Sequence, residues 1–276
     1  MNYWMFRFFS FLRWYWAART NYDVHSPHIA SFLALVVNDD RQYHAFGLMQ
    51  QIRRWWNKQG GVVRIVPIGA TSKIDSNIER PIAKVVSKSA VSPTAGKQLF
   101  RMALWCRAKY LLELGTNAGI SSLYLHSADR RADLHTVEGN LAIAELARKT
   151  FEIARAKPCL HQYVGTFSEL LDPILSQLPQ VDLLFIDGDH RYQPTLDYVK
   201  KCLPKRTENS LFIVADIHWS VGMEKAWEEL KSWPEVTASV DLYQMGVLFF
   251  KPGLSPNQHW SIVQAQWKPW RMGFWA

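Results

Sequence analysis

The chain has 276 residues, 48% of them hydrophobic and 20% charged, which is the make-up of a folded protein of one to two domains and excludes a disordered or collagenous one. No stretch reaches the roughly 18 uninterrupted apolar residues of a membrane span, because Arg7, Arg13 and Arg19 break the one candidate. The net charge of +8 comes from scattered rather than clustered basic residues, so no nucleic acid partner is expected.

Residues 1–92 form an aromatic, basic, helical region. Its first 60 residues hold seven Lys and Arg against three Asp and Glu. Segment 1–18 lacks a small-residue cleavage site after a clean apolar core and is not read as a secretory signal. Projected at about 100° per residue, Asn2, Arg7, Ser10 and Arg13 share one arc, while Trp4, Met5, Phe8, Phe11, Leu12 and Tyr15 cover most of the rest. An amphipathic helix is expected there. Turn residues at 23–27 precede a helical pattern over 29–37, and a further helix is expected over 43–57, ending at Gly60-Gly61. Within Tyr22-Asp23-Val24-His25-Ser26-Pro27, a hinge beside an active site would make His25 a candidate, although a structural role is the default.

From Ser92 the pattern sharpens. Ser92-Pro93-Thr94 opens a helix with a cap followed by proline, running over 94–107. Short apolar runs recur at 110–114, 134–137, 162–164, 181–186 and 211–215, separated by helical patterns at 120–126, 141–156 and 194–202. Continuous runs of this kind suit a parallel sheet buried on both faces. The runs at 236–242 and 246–251 are too close for a crossover helix and form an antiparallel hairpin. The expected fold is therefore α/β. It is a doubly wound, seven-stranded, mostly parallel, Rossmann-like sheet over 93–250, with a C-terminal antiparallel hairpin, an N-terminal helical extension and a Trp-rich tail over 251–276.

Glu113-Leu114-Gly115-Thr116-Asn117-Ala118-Gly119 lies between the first of these strands and its helix. Gly115 permits a tight turn, Asn117 tolerates positive φ, and Gly119 is expected to let the helix start approach a ligand. Twenty-three positions beyond Gly115, Glu138 ends the next strand, where a carboxylate can accept both hydroxyls of a ribose. A dinucleotide fingerprint would place its second glycine where Asn117 stands, so a pyrophosphate is disfavoured. Glu113 offers an acceptor to an amino-acid-bearing sulfonium, and the cofactor expected is S-adenosylmethionine. The plain alternative is turn glycines beside a surface glutamate.

These segments resemble the class I S-adenosylmethionine-dependent methyltransferases, of the catechol and caffeoyl-CoA O-methyltransferase type. The likeness covers residues 93–250 and rests on the helix from Gly96, the turn from Glu113 to Ser121, Glu138, Val164-Gly165-Thr166-Phe167-Ser168, Phe185-Ile186-Asp187-Gly188-Asp189-His190 and the terminal hairpin. It implies that Glu113, Gly115 and Ser121 line the methionine end, that Glu138 holds the ribose, and that Thr166 and Ser168 flank the adenine. It also implies that Asp187 binds a divalent cation, Mg²⁺ or Mn²⁺, together with an Asp-Asn pair after the next strand. Here that pair reads Asp216-Ile217, and Ile217 cannot ligate. His218 is the expected substitute, giving Asp187, Asp216 and His218 as metal ligands. Without a metal, Asp187 or His190 would take the proton directly as general base. Asp189 capping the next helix and His190 in a structural role are the plainer readings.

In-line methyl transfer asks mainly for alignment, so the absence of a Ser/His/Asp constellation and of a His-Glu-x-x-His helix from the sequence is no objection. No Asn-Pro-Pro-aromatic tetrapeptide of base methyltransferases occurs. The expected activity is O-methylation of a small, partly apolar acceptor. Its rivals are a noncatalytic, membrane-peripheral or scaffold protein that keeps the fold, and a nicotinamide-dependent oxidoreductase, which Asn117 and the hairpin disfavour. Three cysteines, Cys106, Cys159 and Cys202, without a Cys-x-x-Cys pair fit a reducing cytoplasm. Trp4, Trp14, Trp16, Trp55, Trp56, Trp260, Trp267, Trp270 and Trp275 are too many for one core. They suit a cap over the acceptor or a homodimer contact, or else a peripheral membrane contact through residues 1–20, with arginines near anionic lipid.

Overall fold

The computed structural model describes residues 3–65, 79–156, 158–254 and 258–271; Asn2 and Trp275 lie outside them. Helix α1 (Tyr3–Ala17) is followed by α2 (Pro27–Phe32), which runs on as a π-helical turn over Leu33–Val37, and by α3 (His44–Asn57). A small antiparallel pair, β1 (Val62–Arg64) and β2 (Glu79–Pro81), precedes α4 (Ile82–Ser89) and α5 (Pro93–Trp105). Ser92 caps α5 through its hydroxyl, which accepts from Ala95 N, and Pro93 supplies a first-turn residue that needs no N–H partner.

Strands and helices then alternate: β3 (Tyr110–Leu114), α6 (Ile120–His126), β4 (Asp133–Glu138), α7 (Leu141–Ala154), β5 (Leu160–Val164), α8 (Phe167–Gln177), β6 (Val181–Ile186), α9 (Tyr192–Cys202), β7 (Arg206–Ala215) and α10 (Val221–Ser232). The chain closes with β8 (Ala238–Asp241), β9 (Met245–Phe249) and β10 (Gln258–Ser261). The sheet order is β10-β8-β9-β7-β6-β3-β4-β5. Pairing is parallel from β7 through β5, and β9 runs antiparallel to both β7 and β8. Chain order reverses at β3, which lies between β4 and β6. That is the switch point at which open α/β sheets place ligands.

The sheet has eight strands rather than the seven expected, because the tail supplies β10 parallel to β8. An uncovered edge strand exposes unpaired N–H and C=O groups, and β10 satisfies those of β8. The linker after α1 covers β10 in turn, with Arg19 N donating to Ser261 O at 2.8 Å and Val263 N donating to Arg19 O at 2.9 Å. Strand β7 also begins at Arg206, five residues before its apolar run, because its first half is polar and partly exposed.

Alternation along the strands sorts the core. Leu111, Leu183, Phe185, Leu211 and Ile213 pack with Phe32, Leu33, Leu99 and Met102 on one face of the sheet. Leu112, Leu184, Ile186, Phe212 and Val214 pack with Leu171, Val199 and Trp227 on the other. Each such side chain contributes about 1.5–3 kcal/mol by burial, which drives assembly of the layers.

Helix α1 docks at the β8–β9 end. Ser10 and Trp14 are its buried residues; Trp14 Nε1 donates to Asp241 O at 3.4 Å. Ser10 Oγ and Arg13 both donate to Glu224, on α10. His218 sits beneath, its Nδ1 2.9 Å from Glu224 Oε1 and its Nε2 2.9 Å from Asp241 Oδ2. Burial alone would lower the pKa of His218, but hydrogen bonds to Asp241 and Glu224 outweigh it and push it up to about 9. Burial acts to raise the Glu224 pKa, and His218, Ser10 and Arg13 overcome that to hold it at about 2.

His218 therefore contributes stability that is complete below its unfolded pKa of about 6.5 and is lost as pH rises through about 9. Thermal melts of the protein should fall in midpoint across that interval, and His218→Gln should flatten the fall. Equal slopes in the two proteins would contradict this account of the clamp.

Candidate functional site

Five strand ends supply the site. Gly115 follows β3 with φ 112°, and a Cβ there would lie 2.3 Å from the carbonyl oxygen of Asp187. Only glycine lets the two strand ends approach so closely, and Asp187 N donates back to Leu114 O at 2.8 Å. Asn117 adopts φ 49°, as its tolerance of the left-handed region suggests. Gly119 has a different reason from the one expected. A Cβ at Gly119 would meet Phe151 Cε1 at 2.6 Å and Ala147 Cα at 3.3 Å, so its missing side chain admits helix α7 rather than a ligand.

Glu113 is fully buried at the end of β3. Its Oε2 accepts from Ser122 Oγ and, at 2.6 Å, from Thr136 Oγ1, while its Oε1 has no hydrogen-bond partner among the described residues. Burial pushes its pKa up to about 7 against the pull of the Ser121, Ser122 and Thr136 hydroxyls. Ser122 and Thr136 were not singled out from sequence. The serine pair after the turn was the available signal for Ser122, and only strand pairing reveals Thr136, which lies opposite Glu113 on β4. Glu138 ends β4, where Oε2 accepts from Asn117 N at 2.8 Å and Oε1 from Asn140 N at 2.9 Å. Burial raises its pKa too, and those backbone donors moderate the rise. Thus Glu138 faces the glycine turn with both oxygens fixed.

Thr166 and Ser168 lie beyond β5 on the same edge. Thr166 caps α8 in a reciprocal box with Glu169, donating to Oε2 at 2.6 Å and accepting from Glu169 N at 3.3 Å. Phe167 between them packs against Gly188, joining the loops after β5 and β6. Ser168 lines an open groove of about 590 Å³ with Arg191, Tyr198 and Lys200.

After β6 and β7, Asp187, His190 and Asp216 converge. His190 Nε2 lies 4.0 Å from Asp187 Oδ1 and 3.7 Å from Asp216 Oδ2, and one ligand atom from each residue falls within 4.8 Å of the others. Burial raises the Asp187 pKa to about 7; His190 opposes the rise, and Asp216, Glu113 and Glu138 add to it. Asp216 holds φ 54° at the strand end, a left-handed conformation that a non-glycine residue adopts at a cost. Two carboxylates and one imidazole suit Mn²⁺, Fe²⁺ or Zn²⁺ better than Mg²⁺.

His218 does not join this group, in contrast to the expected ligand set, because Glu224 and Asp241 engage both its ring nitrogens. His190 takes the third place. Ile217 is fully buried in the core. Asp189 accepts from Arg191 and, at 2.8 Å, from Tyr198 Oη, so it orders the start of α9. His25 is exposed. The wall beside His190 is aromatic and comes from distant segments. Trp219 lies 6.4 Å from the His190 ring, Tyr3 lies 5.2 Å from Trp219, and the Arg7 guanidinium stands 5.1 Å over Trp219. Nothing in the sequence linked α1 to this strand end, some two hundred residues away.

Gly115→Ala should cost about 1–3 kcal/mol from overpacking alone, because the new methyl meets backbone rather than a movable side chain. Denaturant unfolding measures this, and a loss under about 0.5 kcal/mol, the range of a neutral surface substitution, would show that the two strand ends are not in contact.

Comparison with known proteins bears on the fold that carries these residues. Residues 112–217 match a family model described as a methyltransferase domain. A catechol O-methyltransferase of Niastella koreensis is 32% identical over 129 residues, 46% of this chain and 57% of that relative, so the match spans little more than half of the relative's length. Among solved structures, the O-methyltransferase from Bacillus cereus in complex with SAH superposes with TM-score 0.54 at 17% identity, covering 80% of this chain and 97% of that one. TomG of Streptomyces achromogenes, an O-methyltransferase in complex with SAM, gives TM-score 0.54 at 19% identity over 80% of this chain and 94% of that one. At such identities these structures speak for the fold. Together with the family match, they show that residues 112–217 are similar to a methyltransferase domain and that the chain shares the fold of these O-methyltransferases.

Proposed function

We propose that the chain is an S-adenosylmethionine-dependent O-methyltransferase acting on a small, partly apolar acceptor. The observation that carries this reading is the convergence of Glu113, Glu138 and Asp187 on one strand edge around the Gly115 turn. A buried glutamate with an unpartnered Oε1 beside further carboxylates awaits a cationic ligand. S-adenosylmethionine is such a ligand, with a sulfonium and an ammonium, and its presence in the TomG complex supports the choice. Glu113 would face the amino-acid end, Glu138 the ribose, and Ser168 the adenine side, whereas the Thr166 hydroxyl serves its helix cap.

In the reaction, the acceptor oxygen attacks the methyl carbon, the carbon–sulfur bond breaks, and the acceptor proton leaves. Asp187 and His190 would take that proton, and a positioned base contributes about 10²–10⁴-fold. Asp187, His190 and Asp216 also fit a divalent ion, which when bound would lower the pKa of an acceptor hydroxyl. Trp219 and Tyr3 would offer a flat apolar wall to an aromatic acceptor.

Calorimetric titration should show S-adenosylmethionine and S-adenosylhomocysteine binding, weakened at least tenfold by Glu138→Ala. Tight NADH binding in their place would overturn the reading. Methyl transfer to a catechol panel should fall about 10²–10⁴-fold in Asp187→Asn. If the ion is needed, EDTA should abolish turnover and Mn²⁺ restore it; unchanged rates in chelator would assign the proton to Asp187 and His190 alone.

A further inference from the structure

Helix α1 is polar side in. The arc that holds Ser10, Arg7 and Arg13 meets the protein: Ser10 and Arg13 bond to Glu224, and Tyr243 Oη donates to Arg7 O at 3.2 Å. The opposite arc carries Trp4, Met5, Phe8, Phe9, Phe11 and Trp16, all exposed, with Trp4 at 66% and Trp16 at 72%. No charged residue interrupts it between Trp4 and Phe9 except the inward Arg7. An ordinary surface helix buries its apolar stripe and shows its polar one to water. Here only Ser10 and Trp14 are buried and most of the apolar side is left outside, and contiguous exposed apolar surface of this kind marks an interaction site.

We infer that the outer face of α1 docks on an anionic lipid surface. Tryptophans stand at both ends of the helix, and Trp267, whose carbonyl accepts from Tyr15 Oη at 2.6 Å, extends the exposed face beside its C-terminal half. Tryptophan favours the headgroup level of a bilayer, where one side of the ring is apolar and the other wet. The net charge of +8 complements an anionic surface and opposes association with another copy of the same charge. An interfacial helix needs no more than its own apolar face. No helix among the described residues is long and apolar enough to cross a membrane, so the contact is peripheral.

The full chain should sediment with vesicles of phosphatidylcholine and phosphatidylglycerol, bind those of phosphatidylcholine alone far less, and be released by salt. Phe8→Ser with Trp16→Ser should lower vesicle affinity at least tenfold. Both positions are exposed, so the melting temperature and the affinity for S-adenosylmethionine should stay as in the parent. Those two controls separate failure of this inference from failure of the methyltransferase reading. Undiminished vesicle binding by the double variant would overturn the inference. So would a parent that ignores both vesicle types but dimerises by light scattering, with the dimer dispersed by the same substitutions.

Discussion

The site depends on one close approach. Because Gly115 lacks a side chain, the backbone after β3 can rest against the carbonyl of Asp187 after β6, in the middle of the parallel sheet. That contact sets the distance between the Glu113 and Glu138 side of the edge and the Asp187, His190 and Asp216 side. A methyl group at this point would wedge the two strand ends apart. Gly119, four residues on, is a glycine for another purpose, since its vacant position is filled by Phe151.

The approach crowds acidic groups into a place where water is scarce. Burial and mutual repulsion raise the pKa of Asp187, and burial dominates at Glu113 and Glu138. Such a cluster costs folding free energy by itself and is stabilised by positive charge arriving from outside. A sulfonium, an ammonium and a divalent ion are all suited to that role. The same edge holds left-handed, non-glycine residues at Asn117, Asp189 and Asp216, a concentration of backbone cost at the strand ends where chemistry is placed.

Helix α1 joins this edge to the outside of the molecule. Its inner face is pinned by Glu224, Tyr243 and Asp241 and brings Tyr3 and Arg7 against Trp219, next to His190. Among the described residues, most of its outer face is exposed. One short helix therefore both walls the His190 side of this edge and presents the apolar surface argued to meet lipid. His218 belongs to this pinning system rather than to the chemistry, which explains why a histidine two residues beyond Asp216 is not a ligand.

The strands from β3 to β7, the helix at 120–126, the glycine turn and the carboxylates Glu113, Glu138 and Asp187 could be read directly from the chain. Buried parallel strands are written as continuous apolar runs, and a turn that needs positive φ demands glycine or asparagine. Such signals are local, each contained within a few residues. What tertiary structure alone decided was nonlocal: β10 pairing with the edge of β8, His190 replacing His218 beside the aspartates, Thr136 supporting Glu113 from the neighbouring strand, and α1 turning its polar face inward. Amphipathicity says that a helix has two unlike faces; which one meets the protein depends on the partners available. Here Glu224, Tyr243 and the Asp241 carbonyl, far along the chain, supplied polar ones.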